Sequence, residues 1–195
     1  MESARATALD LAKGIPPSPK AIERLSREVG DEAARWAFAQ WELRKLARSK
    51  FERAEQMLFT REALEQATRE EIARYHASRF PLGATVADLT CGIGADLLSL
   101  AKRGPAVGYE LDAERAACAR HNLKVLGLNA EVHVQDSLLA EWPAYVWADP
   151  ARRQDGRRTL DPSGFSPDPA ALASRMAGLN LGGIKLTPLL KDAFL

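Results

Sequence analysis

The stretch from Thr85 to Asp112 reads TVADLTCGIGADLLSLAKRGPAVGYELD, and its order of elements decides the fold. Val86 to Leu89 is a short apolar run, which predicts a buried strand. Cys91-Gly92-Ile93-Gly94 follows as a tight turn, since glycine takes positive φ without steric cost. From Ala95 to Lys102 the apolar residues Leu97, Leu98, Leu100 and Ala101 return at helical spacing. Ala106 to Glu110 predicts a second strand, closed by an acid. Strand, glycine turn, helix, strand and acid form the nucleotide-binding half of a doubly wound α/β sheet. The turn offers backbone N–H groups at a helix N-terminus, where a polar ligand can be held. Glu110 stands 16 residues after Gly94, close to the offset of roughly 20 at which an acid meets ribose hydroxyls.

A dinucleotide fingerprint needs a third glycine to let helix pack on strand, and Leu97 occupies that position. The arrangement here, with Asp88 four residues before Gly92 and then Gly94, is the other common form. It resembles motif I of the class I S-adenosylmethionine (SAM) methyltransferases. The resemblance implies that Asp88 lies near the methionine end of SAM and that Glu110 holds the ribose. Cys91, Gly92, Gly94 and Leu111 complete the expected cofactor set around them. A strand-turn-helix without a ligand is the plainer alternative.

The chain has 195 residues, of which 46% are hydrophobic, enough for a real core and an appendage. Its 27 basic and 26 acidic residues leave a formal charge of +1. That balance excludes a surface basic all round, but leaves room for a local nucleic-acid patch. Two cysteines, Cys91 and Cys118, are too few for a disulfide framework, and a cytoplasmic location is expected. No apolar run approaches a membrane span, and the N-terminus lacks a signal-peptide core.

Residues 1–55 are expected to form an N-terminal helical subdomain, and residues 56–195 the SAM-binding part. After a short first helix, Pro16, Pro17 and Pro19 break the chain, and Ser18 with Pro19 starts a helix over Lys20 to Val29. Asp31 is expected to cap the next helix, running to about Ser49. Its end carries Arg44, Lys45, Arg48, Lys50 and Arg53. Two readings stay open there: a solvated face that complements the helix dipole, or contacts to an RNA backbone. Thr60 is expected to cap one helix from Arg61 to Phe80. In SAM enzymes the segment before motif I often covers the cofactor, so Thr60, Gln66 and Thr68 are candidates to face it. Exposed positions on a helix packed against the sheet are the alternative.

Beyond Glu110 the pattern predicts a helix from Ala113 to Leu126 and a third strand from Ala130 to Val134. Asp136-Ser137 follows at its carboxyl end, where ligands sit in open α/β sheets. Asp136 is placed to accept an adenine amino group, or to cap the next turn, or both. A fourth strand, Ala144 to Ala148, ends in Asp149-Pro150-Ala151-Arg152-Arg153. Amino-methyltransferases carry (Asp/Asn)-Pro-Pro-aromatic at this place. A carboxylate and a proline carbonyl there each accept an N–H and aim an amine lone pair at the sulfonium methyl, positioning that lowers the barrier without a covalent step. Asp149 and Pro150 match, while Ala151 and Arg152 depart from the pattern. Arginine can stack on a base or grip phosphate, so Arg152, Arg153, Arg157 and Arg158 are candidate substrate-binding residues. A turn after a strand is the plainer reading of Asp-Pro. A short helix to Met176 and a fifth strand, Gly183 to Thr187, follow. Class I methyltransferases normally continue through two more strands, so the sheet is expected to be C-terminally incomplete. Its fifth strand then leaves an edge for a homodimer, or for the C-terminal half of a longer protein.

From Phe59 to Pro188 the chain resembles a family of RNA-type class I methyltransferases related to trimethylguanosine synthases, many with a THUMP-like domain. The matching pieces are FTREALEQAT from Phe59, DLTCGIGAD from Asp88, GYELD from Gly108 and DPAR from Asp149. The resemblance implies a Rossmann-like α/β fold, SAM as cofactor, no metal, and N-methylation of a base in RNA. A protein or small-molecule amine methyltransferase shares the same logic, and a SAM- or RNA-binding module without activity is the reading from another class.

Overall fold

A computed structural model describes residues 2–151, 153–154, 157–158, 161 and 164–187. Helices α1 (Glu2–Ala12), α2 (Pro19–Val29) and α3 (Asp31–Ala47) lead. Ser18 Oγ accepts the Ala21 amide at 3.2 Å ahead of Pro19, as the sequence predicts. Asp31 is not the cap of α3. Gly30, at φ 89°, ends α2 and starts α3, and Arg35 takes the Asp31 carboxylate at 2.8 Å. These helices share an apolar cluster that includes Ala8, Leu25, Ala34 and Phe38.

Of the basic run at the end of α3, Arg44 and Lys50 are used inside the molecule, while Lys45, Arg48 and Arg53 stay exposed. Arg44 is buried, donates to the Met57 carbonyl at 2.8 Å and lies over the Trp41 ring. Arg48 pairs with Glu55, and Arg53 donates to Gln56. Lys50 Nζ donates to the carbonyls of Leu64, Glu65 and Ala67 at 2.8–2.9 Å. That ammonium closes the C-terminal end of a short helix α4 (Arg61–Gln66). The continuous helix expected from Arg61 to Phe80 is therefore broken. Ala67 turns extended at ψ 133°, and α5 (Glu70–Ser78) starts afresh. The break leaves Thr68 between the two helices.

The sheet is assembled from β1 (Val86–Asp88), β2 (Ala106–Glu110), β3 (Ala130–Val134), β4 (Tyr145–Ala148) and a last strand at residues 181–184. Helices α6 (Ala95–Ala101) and α7 (Ala113–Val125) connect the first three. A two-stranded ribbon, β5 (Arg153–Gln154) and β6 (Arg157–Arg158), and helix α8 (Pro169–Met176) come before that last strand, β7 (Leu181–Ile184). The order is β3-β2-β1-β4-β7, all parallel. The chain winds outward from β1 to β3, then crosses back to β4 and β7. The switch point lies between β1 and β4, and a ligand crevice opens beyond their carboxyl ends. Val86 stands opposite both Ala106 and Tyr145, so the three central strands start level, and β2 and β4 run on past Asp88 to Glu110 and Ala148. Alternate residues feed the two faces: Val86 and Val132 one cluster, Ala87 and Val146 the other. β7 begins two residues earlier than expected and leaves Lys185 just past its end. Among the described residues β7 is an edge strand. Pro188 to Leu195 lie outside them.

Asn122 ties the layers together. It is fully buried on α7, its Oδ1 accepts the Leu58 amide at 2.7 Å, and its Nδ2 donates to the carbonyls of Leu58 and Ile93. One side chain thus holds the chain entering α4 against the glycine turn. Truncation leaves buried backbone groups unpaired, so Asn122→Ala is expected to lower unfolding stability by about 2–4 kcal/mol. Urea denaturation measures it.

Candidate active site

A cavity of about 600 Å³ opens at the carboxyl ends of β1, β2 and β4. One end is built by the glycine turn. Gly92 and Gly94 take φ of 55° and 95°. Glu110 Oε2 accepts the Gly92 amide at 3.0 Å, and its Oε1 accepts the Asp112 amide at 2.9 Å. The carboxylate therefore fixes the turn after β1 to the loop after β2. A carboxylate offers about four acceptor sites, so capacity for a ligand remains. Asp136 lines the same end and caps the turn after β3 through the Leu138 amide at 2.9 Å, so it serves as a cap while facing the cavity.

Gln66, Thr68, Cys91, Gly92, Glu110, Leu111, Asp136 and Ser137 all line the cavity. Three expected residues stand behind it. Thr60 caps α4 through the Ala63 amide at 3.3 Å. Gly94 packs under the turn, where an added Cβ would lie 3.5 Å from the Ala119 side chain. Asp88 is 1% exposed and accepts the Thr90 amide at 3.2 Å. Burial raises its carboxyl well above the ordinary 3.8, and the charges of Asp96, Asp149 and Glu110 add to that. Burial likewise pushes the Cys91 thiol up, which disfavours the thiolate.

The other end of the cavity gathers around Asp149. Its amide donates to Thr90 Oγ1 at 2.7 Å, which fixes the end of β4 against the end of β1. Its Oδ2 is 2.6 Å from Lys185 Nζ, and Thr68 Oγ1 joins both, accepting from Lys185 at 3.1 Å and donating to Asp149 at 3.5 Å. Asp149 is thus an ion-paired carboxylate, not the lone acceptor the motif suggests. Pro150 and Ala151 continue the wall. Ala151 exchanges two backbone hydrogen bonds with Ser166, of 2.9 and 3.0 Å, closing the loop that carries the β5–β6 ribbon. Arg153, Arg157 and Arg158 are on that ribbon. Arg152 lies outside the described residues.

Sequence reasoning missed Lys185, Thr90, Asp96 and Arg115, all of which face the cavity. A lysine at the carboxyl end of an apolar strand was the available signal for Lys185. Asp96 is held at 2.7 Å by His76, whose ring stacks on Trp147. Among the described residues the wall carries Glu65, Asp96, Glu110, Asp112, Asp136 and Asp149 against Arg115 and Lys185. Such a wall favours a cationic ligand.

No protein-family model matches the chain. Over 125 residues it is 42% identical to an "uncharacterized S-adenosylmethionine-dependent methyltransferase" of Mycobacterium tuberculosis, in strains CDC 1551 and H37Rv alike. That match covers 63% of this chain and 35% of the relative, so the chain spans about a third of the length of the curated relatives it matches. Among solved structures, a "putative methyltransferase" from Porphyromonas gingivalis W83 superposes with a TM-score of 0.65 at 25% identity. The superposition covers 85% of this chain and 43% of that one.

The buried Asp88 makes a pH prediction. A carboxyl whose folded pKa is raised binds more protons folded than unfolded, so its contribution is present below the ordinary 3.8 and is lost as pH rises toward the folded value. Asp88→Asn removes that term, so stability of wild type relative to the variant falls from about pH 4 upward. Urea titrations across pH 4–8 measure the difference. The chain has the α/β Rossmann-like fold of the methyltransferase it superposes on, and over the matched 125 residues it is similar to SAM-dependent methyltransferases.

Proposed function

We propose that this chain is the catalytic part of a SAM-dependent N-methyltransferase that acts on a base in RNA. The observation that carries the reading is one cavity joining Glu110 at the glycine turn to Asp149 at the end of β4. SAM fits its chemistry. Ribose hydroxyls meet the remaining acceptor sites of Glu110, the adenine amino group meets Asp136, and exposed Leu111 offers the ring an apolar face. The sulfonium and the α-ammonium face a wall of carboxylates. Bound there, SAM supplies an activated methyl group. Asp149 accepts the N–H of the acceptor base and orients it, and Thr68 and Lys185 hold Asp149 in place.

The RNA part of the proposal is supported by the ribbon that follows Asp149. Three arginines, Arg153, Arg157 and Arg158, lie on a loop rooted at the cavity rim through Ala151 and Ser166. Phosphate contacts of that kind position a strand and make affinity salt-dependent. The edge of β7 completes the proposal as a pairing surface, for a second copy or for further polypeptide.

Glu110→Ala is expected to weaken SAM by more than about tenfold, since charge-assisted bonds contribute 1.5–3 kcal/mol each. Asp149→Ala is expected to abolish methyl transfer and to change SAM affinity by no more than about twofold. Calorimetry with SAM and transfer of labelled methyl into total RNA, protein and metabolite fractions measure both. Unchanged SAM affinity in Glu110→Ala refutes the cofactor site, and label in protein or metabolites instead of RNA refutes the substrate.

A further inference from the structure

Lys185 has no part in a simple amine-positioning site, yet it stands at the reacting end. Its ammonium is two-thirds buried and bonds Asp149 and Thr68 at 2.6 and 3.1 Å. Among the described residues those bonds use two of its three N–H donors, and the third is available to a ligand in the cavity. Asp149 and Lys185 therefore present an acceptor and a donor side by side.

An exocyclic amine suits this pair poorly. Its nitrogen gains positive charge as it attacks, and a cation beside the accepting carboxylate opposes that. A bond from the cation to the neighbouring ring nitrogen also draws electron density away from the amine. A ring N–H next to a carbonyl suits the pair well. Its N–H donates to Asp149 and its C=O accepts from Lys185. When the proton leaves, negative charge spreads over nitrogen and oxygen, and the ammonium stabilises it where it develops.

We propose that Asp149 and Lys185 together select a lactam edge, the N–H and adjacent C=O of a guanine- or uracil-type base, and that methyl transfer goes to the ring nitrogen. The assignment rests on reading the cavity as an RNA methyl-transfer site. The N–H bond breaks and its proton passes to Asp149. The freed nitrogen pair forms the N–CH₃ bond, the C–S bond breaks, and its electrons remain on sulfur as a neutral thioether. Asp149 then returns the proton to water through the open cavity. Lys185 stays protonated and holds the carbonyl oxygen. Besides Asp149 after β4 and Lys185 after β7, the same cavity is lined by Glu65 from α4 and Asp96 from α6, and Lys50 is near enough for it and Lys185 to repel.

The test is labelled transfer from SAM into total RNA, followed by digestion to nucleosides and chromatography. Label on the ring nitrogen of guanosine or uridine is expected. Label on adenosine, cytidine, an exocyclic amine or a ribose oxygen overturns the lactam assignment while leaving RNA methylation standing. Label absent from RNA, with SAM still bound, overturns the functional reading and this one with it. Lys185→Met is expected to slow transfer by about 10²-fold, the loss typical of one donor to a developing anion. Its SAM affinity stays unchanged, its rising pH–rate limb moves to higher pH, and Lys185→Arg recovers part of the rate. A Lys185→Met enzyme that binds SAM and keeps the wild-type rate or pH profile refutes the role of Lys185. Product identity from the wild-type protein decides the edge even where that variant folds poorly.

Discussion

A carboxylate that faces two ways underlies the cofactor end of this molecule. Glu110 ends β2 and accepts amides from Gly92 and Asp112, so two loops from two strands meet on one side chain. The turn needs that clamp. Two residues at positive φ have few local bonds of their own, and an unpaired amide there would be costly. The parallel register then does the rest, because β1, β2 and β4 point the same way and their carboxyl ends open on one cavity. Thr90 extends the clamp across the switch point by accepting the Asp149 amide.

The sheet was legible because its signals are local. Apolar runs, the glycine turn and acids at strand ends give β1, β2, β3 and β4 within a residue or two. What the sequence hid depends on partners far along the chain. The break between α4 and α5 follows from Lys50, whose ammonium satisfies three carbonyls that a longer helix would have used itself. Thr68 reaches the cavity only because of that break. Within the basic run the exception is Arg44, which is buried because its guanidinium reaches the Met57 carbonyl 13 residues on, a partner that local spacing does not reveal. Among the site residues, Glu110, Asp136 and Asp149 were readable from their place at strand ends. Thr60 and Gly94 were expected to face the cofactor; in the structure Thr60 caps α4 and Gly94 packs against Ala119, uses that draw on the same residue types as binding.

Charge is divided along the cavity. At the turn end Asp88 is buried behind the wall, and burial, with the nearby Asp96 charge, raises its pKa. Asp96 in front of it is held by His76 instead of by lysine or arginine. That end accumulates negative charge that a cationic ligand can relieve. At the other end Lys185 matches Asp149 within a hydrogen bond, so the local charge is balanced before anything binds. A cationic cofactor and a neutral acceptor therefore find different environments a few residues apart.

The departure from Asp-Pro-Pro-aromatic has a backbone cause. Ala151 donates its amide to the Ser166 carbonyl at 2.9 Å, and a proline there has no N–H to give. Keeping alanine closes the loop at its base and sends the chain out into the β5–β6 ribbon instead of across the cavity mouth. A stacking ring at the usual position is then lost, and with it one means of gripping a base face-on. On the proposed reading Asp149 and Lys185 carry more of the orientation, and a donor beside an acceptor discriminates by edge, because a mismatched base leaves a hydrogen-bonding group unmet.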